Sequence, residues 1–193
     1  MNLKRALDVT LAVTGIVLLS PVMAATAVAV KKSSPGPIIY SQLRFGKGRR
    51  LIRVYKFRTM YSDTDWRYSS AKPDDSRVTD VGRKLRASSL DELPQLFNVL
   101  NGSMSLVGPR PHPIMLDVNY EKKLPWLRQR YTVRPGITGA AQVAGLRGHV
   151  DSDEHMKSRV DKDIEYAQEY SFRGDVNIIL KTIGVVLKRT NAH

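Results

Sequence analysis

The sequence predicts an α+β fold: an apolar N-terminal helix, then a compact domain of helices and a few short strands. Three observations carry this. Val9 to Val30 holds no charged residue, while Lys4 and Arg5 flank one end and Lys31 and Lys32 the other. The run Arg53-Val54-Tyr55-Lys56-Phe57-Arg58-Thr59-Met60 alternates as a strand does. Leu93, Leu96, Phe97 and Leu100 recur at i, i+3, i+4 and i+7, which is one apolar face of a helix. A length of 193 residues suits one domain with a small appendage. The boundary falls at the Ser33-Ser34-Pro35-Gly36-Pro37 turn cluster, giving a membrane segment at 1–32 and a globular domain at 33–193.

The N-terminal segment is long enough to cross a bilayer at about 1.5 Å per residue. Its apolar run is long for a signal peptide, and no cleavage site is apparent before the globular part. Hydropathy alone reads it as a single span. Two features read it as re-entrant. Ser20-Pro21 sits mid-run, where proline deletes a helix hydrogen bond and Ser20 can partly satisfy the freed backbone. Both flanks are basic, and cytoplasmic ends carry the positive charge.

Ile38 to Gln42 reads as a short strand, and Gly46-Lys47-Gly48-Arg49-Arg50 as a basic turn without Walker spacing. In the second strand Lys56 and Arg58 share a face. Tyr61 to Thr79 is polar and reads as a surface loop.

The stretch Ser88 to Pro111 organises the rest. Asp91 and Glu92 open a short helix that closes at Asn101-Gly102. Pro94 belongs in its first turn, so the helix starts close to Asp91. On spacing alone the two acids are an N-cap and a first-turn residue. Their company suggests more. Arg83, Lys84 and Arg86 lie upstream, and Gly108-Pro109-Arg110-Pro111 lies downstream in a rigid turn. Acids among arginines suit a meeting place of phosphate, divalent cation and nucleophilic carboxylate.

Further on, Leu124 to Tyr131 reads as a basic interfacial helix with Trp126. Ser152 to Tyr170 reads as a charged helix, and Val176 to Arg189 as an amphipathic one on the membrane surface. Asp175, ahead of that last helix, has the position of an N-cap. The formal charge of +13 favours an anionic partner. There is no cysteine, which excludes disulfides, thiolate metal sites and thiol nucleophiles. The four histidines form no ligand pair, so no structural zinc is expected.

The runs Ser89-Leu90-Asp91-Glu92-Leu93-Pro94-Gln95-Leu96 and Met104-Ser105-Leu106-Val107-Gly108-Pro109-Arg110-Pro111 resemble those of the bacterial sugar transferases, small monotopic phosphoglycosyl transferases acting on polyprenyl phosphate. Lys56-Phe57-Arg58-Thr59-Met60, Arg134-Pro135-Gly136-Ile137-Thr138-Gly139 and the Asp163, Tyr166 pair resemble family motifs too. The sequence departs at Ala140 and Ala144, where Trp and Asn are common.

The resemblance implies a re-entrant helix broken at Ser20 and Pro21. It also implies an enzyme on the inner membrane with its catalytic domain facing the cytoplasm. Its reaction would move a sugar 1-phosphate from a UDP-sugar to polyprenyl (undecaprenyl) phosphate and release UMP. This is the first membrane step in making an exopolysaccharide, capsule, O-antigen or glycoprotein glycan. Asp91 would be the nucleophile that forms a phosphosugar–aspartyl intermediate, with Glu92 assisting and both carboxylates meeting Mg2+. Lys56, Arg58, Arg86, Arg110, Arg134 and Asp175 would bind phosphates and substrate. Nucleic acid is not expected as a partner, and an oligomer is compatible with this reading. The alternative is a membrane-tethered module that binds anionic lipid or nucleic acid without catalysis; the aromatic residues are few and not interleaved with Arg or Lys, which argues against it.

Overall fold

A computed structural model describes residues 3–62, 75–148 and 150–187. Residues 63–74 of the expected polar loop, and Lys188 and Arg189 of the expected last helix, lie outside the described residues. The fold is α+β, as the sequence predicts. Helix α1 (Leu3–Ser33) leads into a hairpin of β1 (Ile39–Phe45) and β2 (Leu51–Phe57). After α2 (Asp80–Ser88) come a single 3-10 turn at Leu90–Glu92 and α3 (Gln95–Leu100). Strand β3 (Ser105–Val107) is followed by α4 (Ile114–Glu121), a 3-10 segment at Pro125–Thr132 and β4 (Gly136–Thr138). The chain continues through α5 (Ala140–Val143), α6 (Asp153–Gln168) and α7 (Phe172–Leu187).

Helix α1 is long and apolar enough to cross a membrane by length and composition. It continues through Pro21. Proline there leaves the Val17 carbonyl without its i+4 donor, and the Ser20 hydroxyl donates to that carbonyl at 2.9 Å. The sequence expectation for Ser20 therefore holds, although the helix is not interrupted. Leu18 and Val17 stay 71% and 64% exposed, so the middle of α1 meets little protein.

Both ends of α1, by contrast, are fastened to the same domain. Near the N-terminus, Lys4 pairs with Asp175 at 2.6 Å. Arg5 donates to the Val99 and Leu100 carbonyls at the end of α3. Buried Asp8 accepts from the Ser105 hydroxyl and the Leu106 amide. At the other end Val30 is buried with Phe57 and Leu85. Arg58 there donates to the carbonyls of Val30, Ser34, Pro35 and Pro37 and to the hydroxyls of Ser34 and Ser62. This corrects the sequence assignment of Arg58 to a phosphate site. Strand β2 ends at Phe57, so alternation no longer directs Arg58. One guanidinium nitrogen meets the Val30 carbonyl at the negative end of α1 and the Ser34 carbonyl just past it, and the other two are taken up by the turn that follows.

The two strand pairs are small. β1 and β2 pair antiparallel with Tyr40 opposite Lys56, Gln42 opposite Val54 and Arg44 opposite Ile52. These residues share one face of the hairpin. β3 and β4 pair in parallel, Ser105 with Gly136 and Val107 with Thr138. Gly108 lies against this pair so closely that a Cβ there would stand 2.3 Å from the Arg134 carbonyl oxygen. The segment expected as an interfacial helix, Leu124 to Tyr131, is instead a 3-10 stretch. Its Leu127 and Tyr131 are buried with Met156, Val160 and Ile164 of α6. Every third or so residue turns inward there, and Pro125 at its start favours the tighter turn over a full α-helix.

Arg58→Ala leaves several buried carbonyls without a donor, at about 1–3 kcal/mol each before relaxation. It should lower thermal stability in detergent by at least about 3 kcal/mol. Arg83→Ala, which removes only an exposed pair with Asp80, should cost under about 1 kcal/mol. Equal melting temperatures for the two variants would remove Arg58 from its place as the lock on α1.

Candidate active site

The corner between α2 and α3 places the acidic pair. Ser89 adopts a left-handed conformation at φ 58°, ψ 15°, which reverses the chain at the end of α2. A 3-10 turn follows with three residues per turn, so Leu90 and Leu93 fall on one side. Both pack against the cluster of Val30, Phe57 and Leu85. Asp91 and Glu92 are thereby turned away from it, toward β2. The helix start expected at Asp91 is four residues later, because the 3-10 turn and Pro94 precede α3. Asp91 is accordingly not a helix cap.

Buried Asn98 of α3 sets the distance to β2. Its side-chain amide donates to the Arg53 carbonyl at 2.7 Å, and its oxygen accepts from the Tyr55 amide at 3.0 Å. Lys56, the next residue, then reaches Glu92 Oε1 at 2.6 Å and lies 3.9 Å from Asp91 Oδ2. From the far side, Arg110 grips Glu92 with two bonds, Nη2 to Oε1 at 2.5 Å and Nη1 to Oε2 at 3.2 Å. The expectation that Arg110 is held rigid is met, but the protein group it grips is a carboxylate.

The two acids therefore differ. Burial would raise the Glu92 carboxyl, yet the Arg110 and Lys56 charges and hydrogen bonds hold it well below the usual range. Asp91 is raised, by burial first and then by the Glu92 charge, with Lys56, Arg110 and Arg86 opposing. Among the described residues Asp91 accepts no hydrogen bond, although only 7% of it is exposed. Arg86 is near enough to act on Asp91 and has no side-chain partner among the described residues.

Two more cations belong here, and the sequence reading had assigned neither to the site. Half-buried Arg44 lies on the Lys56 face of the hairpin and donates to Gln42. Burial and then the Arg110 charge lower it to about 10, with Glu92 among the groups opposing. Alternation along β1 could have found it once the register with Lys56 was known. Arg147 donates to the Ser89 hydroxyl at 3.3 Å. Burial and Arg110 lower it, with Glu92 and Asp91 opposing. It follows α5 through a glycine turn, and no periodic signal marks it.

Behind Arg110 sits a buried network. Arg130 donates to the Arg110 carbonyl at 2.7 Å and to Asp163 Oδ2 at 2.5 Å, and reaches His112 Nδ1 at 3.0 Å. His112 Nδ1 also lies 2.8 Å from Asp117 Oδ1. Burial and then Arg130 depress the His112 imidazole to about 4, so it is neutral at pH 7. Asp163, expected from its motif, thus acts by fixing the backbone of Arg110.

Two other expected site residues are elsewhere. Asp175 is 1% exposed and bonded to Lys4 and the Tyr166 hydroxyl. It joins α7 to the start of α1. Arg134 has an exposed side chain. What its motif supplies is backbone, the close contact of Gly108 with the Arg134 carbonyl.

Comparison with known proteins places this site in a family. The bacterial sugar transferase profile matches residues 1–189. The chain is 47% identical to the UDP-glucose:undecaprenyl-phosphate glucose-1-phosphate transferase of Escherichia coli (strain K12), over 94% of this chain and 39% of that protein. A Caulobacter vibrioides protein of the same name is 46% identical, over 98% of this chain and 72% of that one. The UDP-N-acetylgalactosamine-undecaprenyl-phosphate N-acetylgalactosaminephosphotransferase of Aeromonas hydrophila is 42% identical, over 96% and 44%. The chain thus spans about two fifths of the length of the first and third of these relatives. Since the profile match takes in α1, the acidic corner and the Arg110 turn alike, the chain belongs to the bacterial sugar transferase family.

Proposed function

We propose that this protein transfers a sugar 1-phosphate from a UDP-sugar to polyprenyl phosphate at a membrane surface and releases UMP. The relatives named above carry this reaction in their names, and UDP-glucose is the donor to try first. The observation that carries the reading is Asp91, a buried carboxylate without a hydrogen bond, set among Lys56, Arg86 and Arg110. A carboxylate stripped of hydrogen bonds and solvent is more nucleophilic than a hydrated one.

In the proposed sequence, an Asp91 oxygen attacks the phosphorus that bears the sugar. The bond from that phosphorus to the bridging oxygen breaks, and UMP leaves with the electron pair. An oxygen of the lipid phosphate then attacks the same phosphorus, and the acyl phosphate bond breaks. The products are polyprenyl diphosphosugar and free Asp91. Lys56, Arg86, Arg110 and Arg147 hold the phosphates in line and oppose the developing charge. Glu92, clamped on both oxygens, keeps Lys56 and Arg110 in place.

Magnesium is proposed as the cofactor. No group of three or more His, Cys, Asp or Glu side chains suited to a metal occurs among the described residues. Mg2+ ordinarily needs only one or two carboxylates together with substrate phosphates; Asp91, which accepts no hydrogen bond among the described residues, fits as one donor, and Glu92 beside it would have to share oxygens now held by Lys56 and Arg110. When bound, the ion would neutralise diphosphate charge.

For topology we infer a monotopic protein of the cytoplasmic membrane with its domain on the cytoplasmic side. Both ends of α1 are tied to one globular domain, through Lys4 and Asp8 at one end and Val30 and Ser34 at the other. Both ends are also basic. That arrangement favours a helix that enters and returns, with Ser20 and Pro21 at its deepest point.

Asp91→Asn should abolish UMP release from UDP-glucose, with melting temperature and detergent extraction unchanged. Substantial turnover by this variant, free of wild-type enzyme, would rule out the nucleophile. Arg86→Lys should lower kcat/KM by at least about tenfold, since one preorganised charge contact is typically worth ~10²–10³ in rate. Lys157→Arg, in an exposed pair with Asp161, should be neutral, and equal small salt-dependent losses at both would favour diffuse lipid attraction instead. Single cysteines at Leu3 and Ser33 should both resist membrane-impermeant labelling of intact cells. Labelling of one alone would establish a simple span.

A further inference from the structure

Beside the acidic pair lies a cavity of about 130 Å³ whose walls include Glu92, Arg147, Leu93, Leu96, Val143 and Val185. The catalytic reading does not use it. It is well below the ~300 Å³ of a pocket that encloses a whole small molecule, so it suits part of a ligand. Most of its polar wall groups are already engaged. The Thr138 and Thr182 hydroxyls bond each other at 2.7 Å, and Thr182 donates to the Ile178 carbonyl. The Gln142 amide nitrogen donates to the Ile137 carbonyl at 2.9 Å. The buried Gln142 Oε1 is left without a partner among the described residues, so a uracil or a sugar would find little beyond that acceptor and the charged rim, whereas hydrocarbon would meet leucine and valine.

The far side of this wall is the membrane helix. A Cβ on Gly15 would stand 3.4 Å from Leu96 Cδ1, and Leu96 shares its cluster with Ala12 and Ile16. Leu93 packs in the cluster that also takes Met23 and Ala27. The cavity therefore backs onto the stretch of α1 on either side of Pro21. On its other side α7 keeps Leu180 and Ile183 63% and 53% exposed. One end of the cavity is thus charged, at Arg147 and the acidic pair, and its flanks are the apolar elements expected to meet lipid.

We propose that this cavity seats the phosphate-proximal isoprenyl units of a polyprenyl phosphate, with the lipid phosphate at Arg147 beside Glu92. This rests on the transferase reading and adds the seat of its acceptor. Charge complementarity selects the occupant: a phosphate on a hydrocarbon chain matches a cation at the rim of a largely apolar hole, while a nucleotide base would bury more polar edges there than Gln142 Oε1, a buried wall acceptor without a partner among the described residues, can satisfy.

The test uses the whole protein in detergent micelles. A farnesyl phosphate carrying a diazirine on its first isoprene unit should label the peptides that hold Val143 or Val185. Unlabelled undecaprenyl phosphate should suppress that labelling. Val143→Trp and Val185→Trp fill the hole, and each should raise the KM for undecaprenyl phosphate by roughly tenfold or more. The KM for UDP-glucose should stay within about twofold. A raised UDP-glucose KM with an unchanged lipid KM would overturn the proposal in favour of a donor subsite. So would labelling confined to other peptides, or competition by phosphatidylglycerol as effective as by undecaprenyl phosphate. If either variant fails to fold, the competed labelling of the wild type decides. If the wild type releases UMP from no UDP-sugar, the transferase reading falls, while the competed labelling still tests the cavity.

Discussion

The bidentate grip of Arg110 on Glu92, closed from the other side by Lys56, is the contact on which the site depends. It joins three parts of the chain that share no secondary structure: the 3-10 corner, the hairpin and the Gly108–Pro111 turn. A buried carboxylate alone would favour its neutral form; two cations on its oxygens keep it ionised. Once Glu92 is fixed, its neighbour has little freedom. Asp91 lies on the next position of a tight turn whose leucines are locked in the core, so its carboxylate faces Lys56 without being held by it. The sequence puts two like acids side by side, and the fold makes one a fixture and leaves the other available.

The buried cations divide in a parallel way. Arg5, Arg58 and Arg130 each donate to backbone carbonyls. Arg5 meets the closing carbonyls of α3, and Arg58 meets Val30 of α1 and the carbonyls of the turn just after it, where the helix dipole is negative. Arg130 is balanced by Asp163 and also fixes Arg110 through its carbonyl. Breaking that last pair would leave a buried charge, at about 3–5 kcal/mol. Arg86 and Arg147 form no such tie to a carboxylate. The distinction between a fastening arginine and a working one is therefore whether carbonyls or open space surround its fork, not how deeply it is buried.

Much of this was legible in the sequence, and the reasons for the misses are specific. The apolar run, the Ser20-Pro21 pair and the acidic pair announce themselves by composition and order. Lys56 followed from strand alternation, and Arg110 from a turn rigid enough to aim a side chain. Arg58 failed because alternation holds only while the strand lasts, and β2 stops one residue short of it. Asp175 failed because its partner, Lys4, is at the other end of the chain, and no local pattern foretells a contact across the fold. Arg134 has an exposed side chain, and what its motif visibly supplies is backbone fit: glycine at 108, 136 and 139 permits β3 and β4 to touch. The Leu124–Tyr131 segment failed because a basic, Trp-bearing stretch looks interfacial until the burial of Arg130 by Asp163 is known. Arg44 and Arg147 needed the tertiary pairing of the hairpin and of α5 with the corner.

Charge also decides between an enzyme and a passive basic surface. The overall excess of +13 is spread through the chain and would serve either. At the corner, the cations that act on or feel Asp91 and Glu92 are Lys56, Arg44, Arg86, Arg110 and Arg147. Cations thus outnumber the two carboxylates there. A solvated surface would relax such a surplus by spreading it over flexible side chains, at little cost in water. Here Arg44 and Arg147 are held where burial and Arg110 both work against their charge. Asp117, Glu92 and Asp91 offset that repulsion only in part, which suits the proposal of a site completed by an anionic ligand. A diphosphate, as proposed, would bring negative charge in a compact form beside Asp91, which among the described residues accepts no hydrogen bond and pairs only with Lys56 at 3.9 Å. A diffuse lipid or nucleic-acid binder has no use for that carboxylate, which would repel its phosphates; a phosphoryl transferase with an acyl phosphate intermediate requires it.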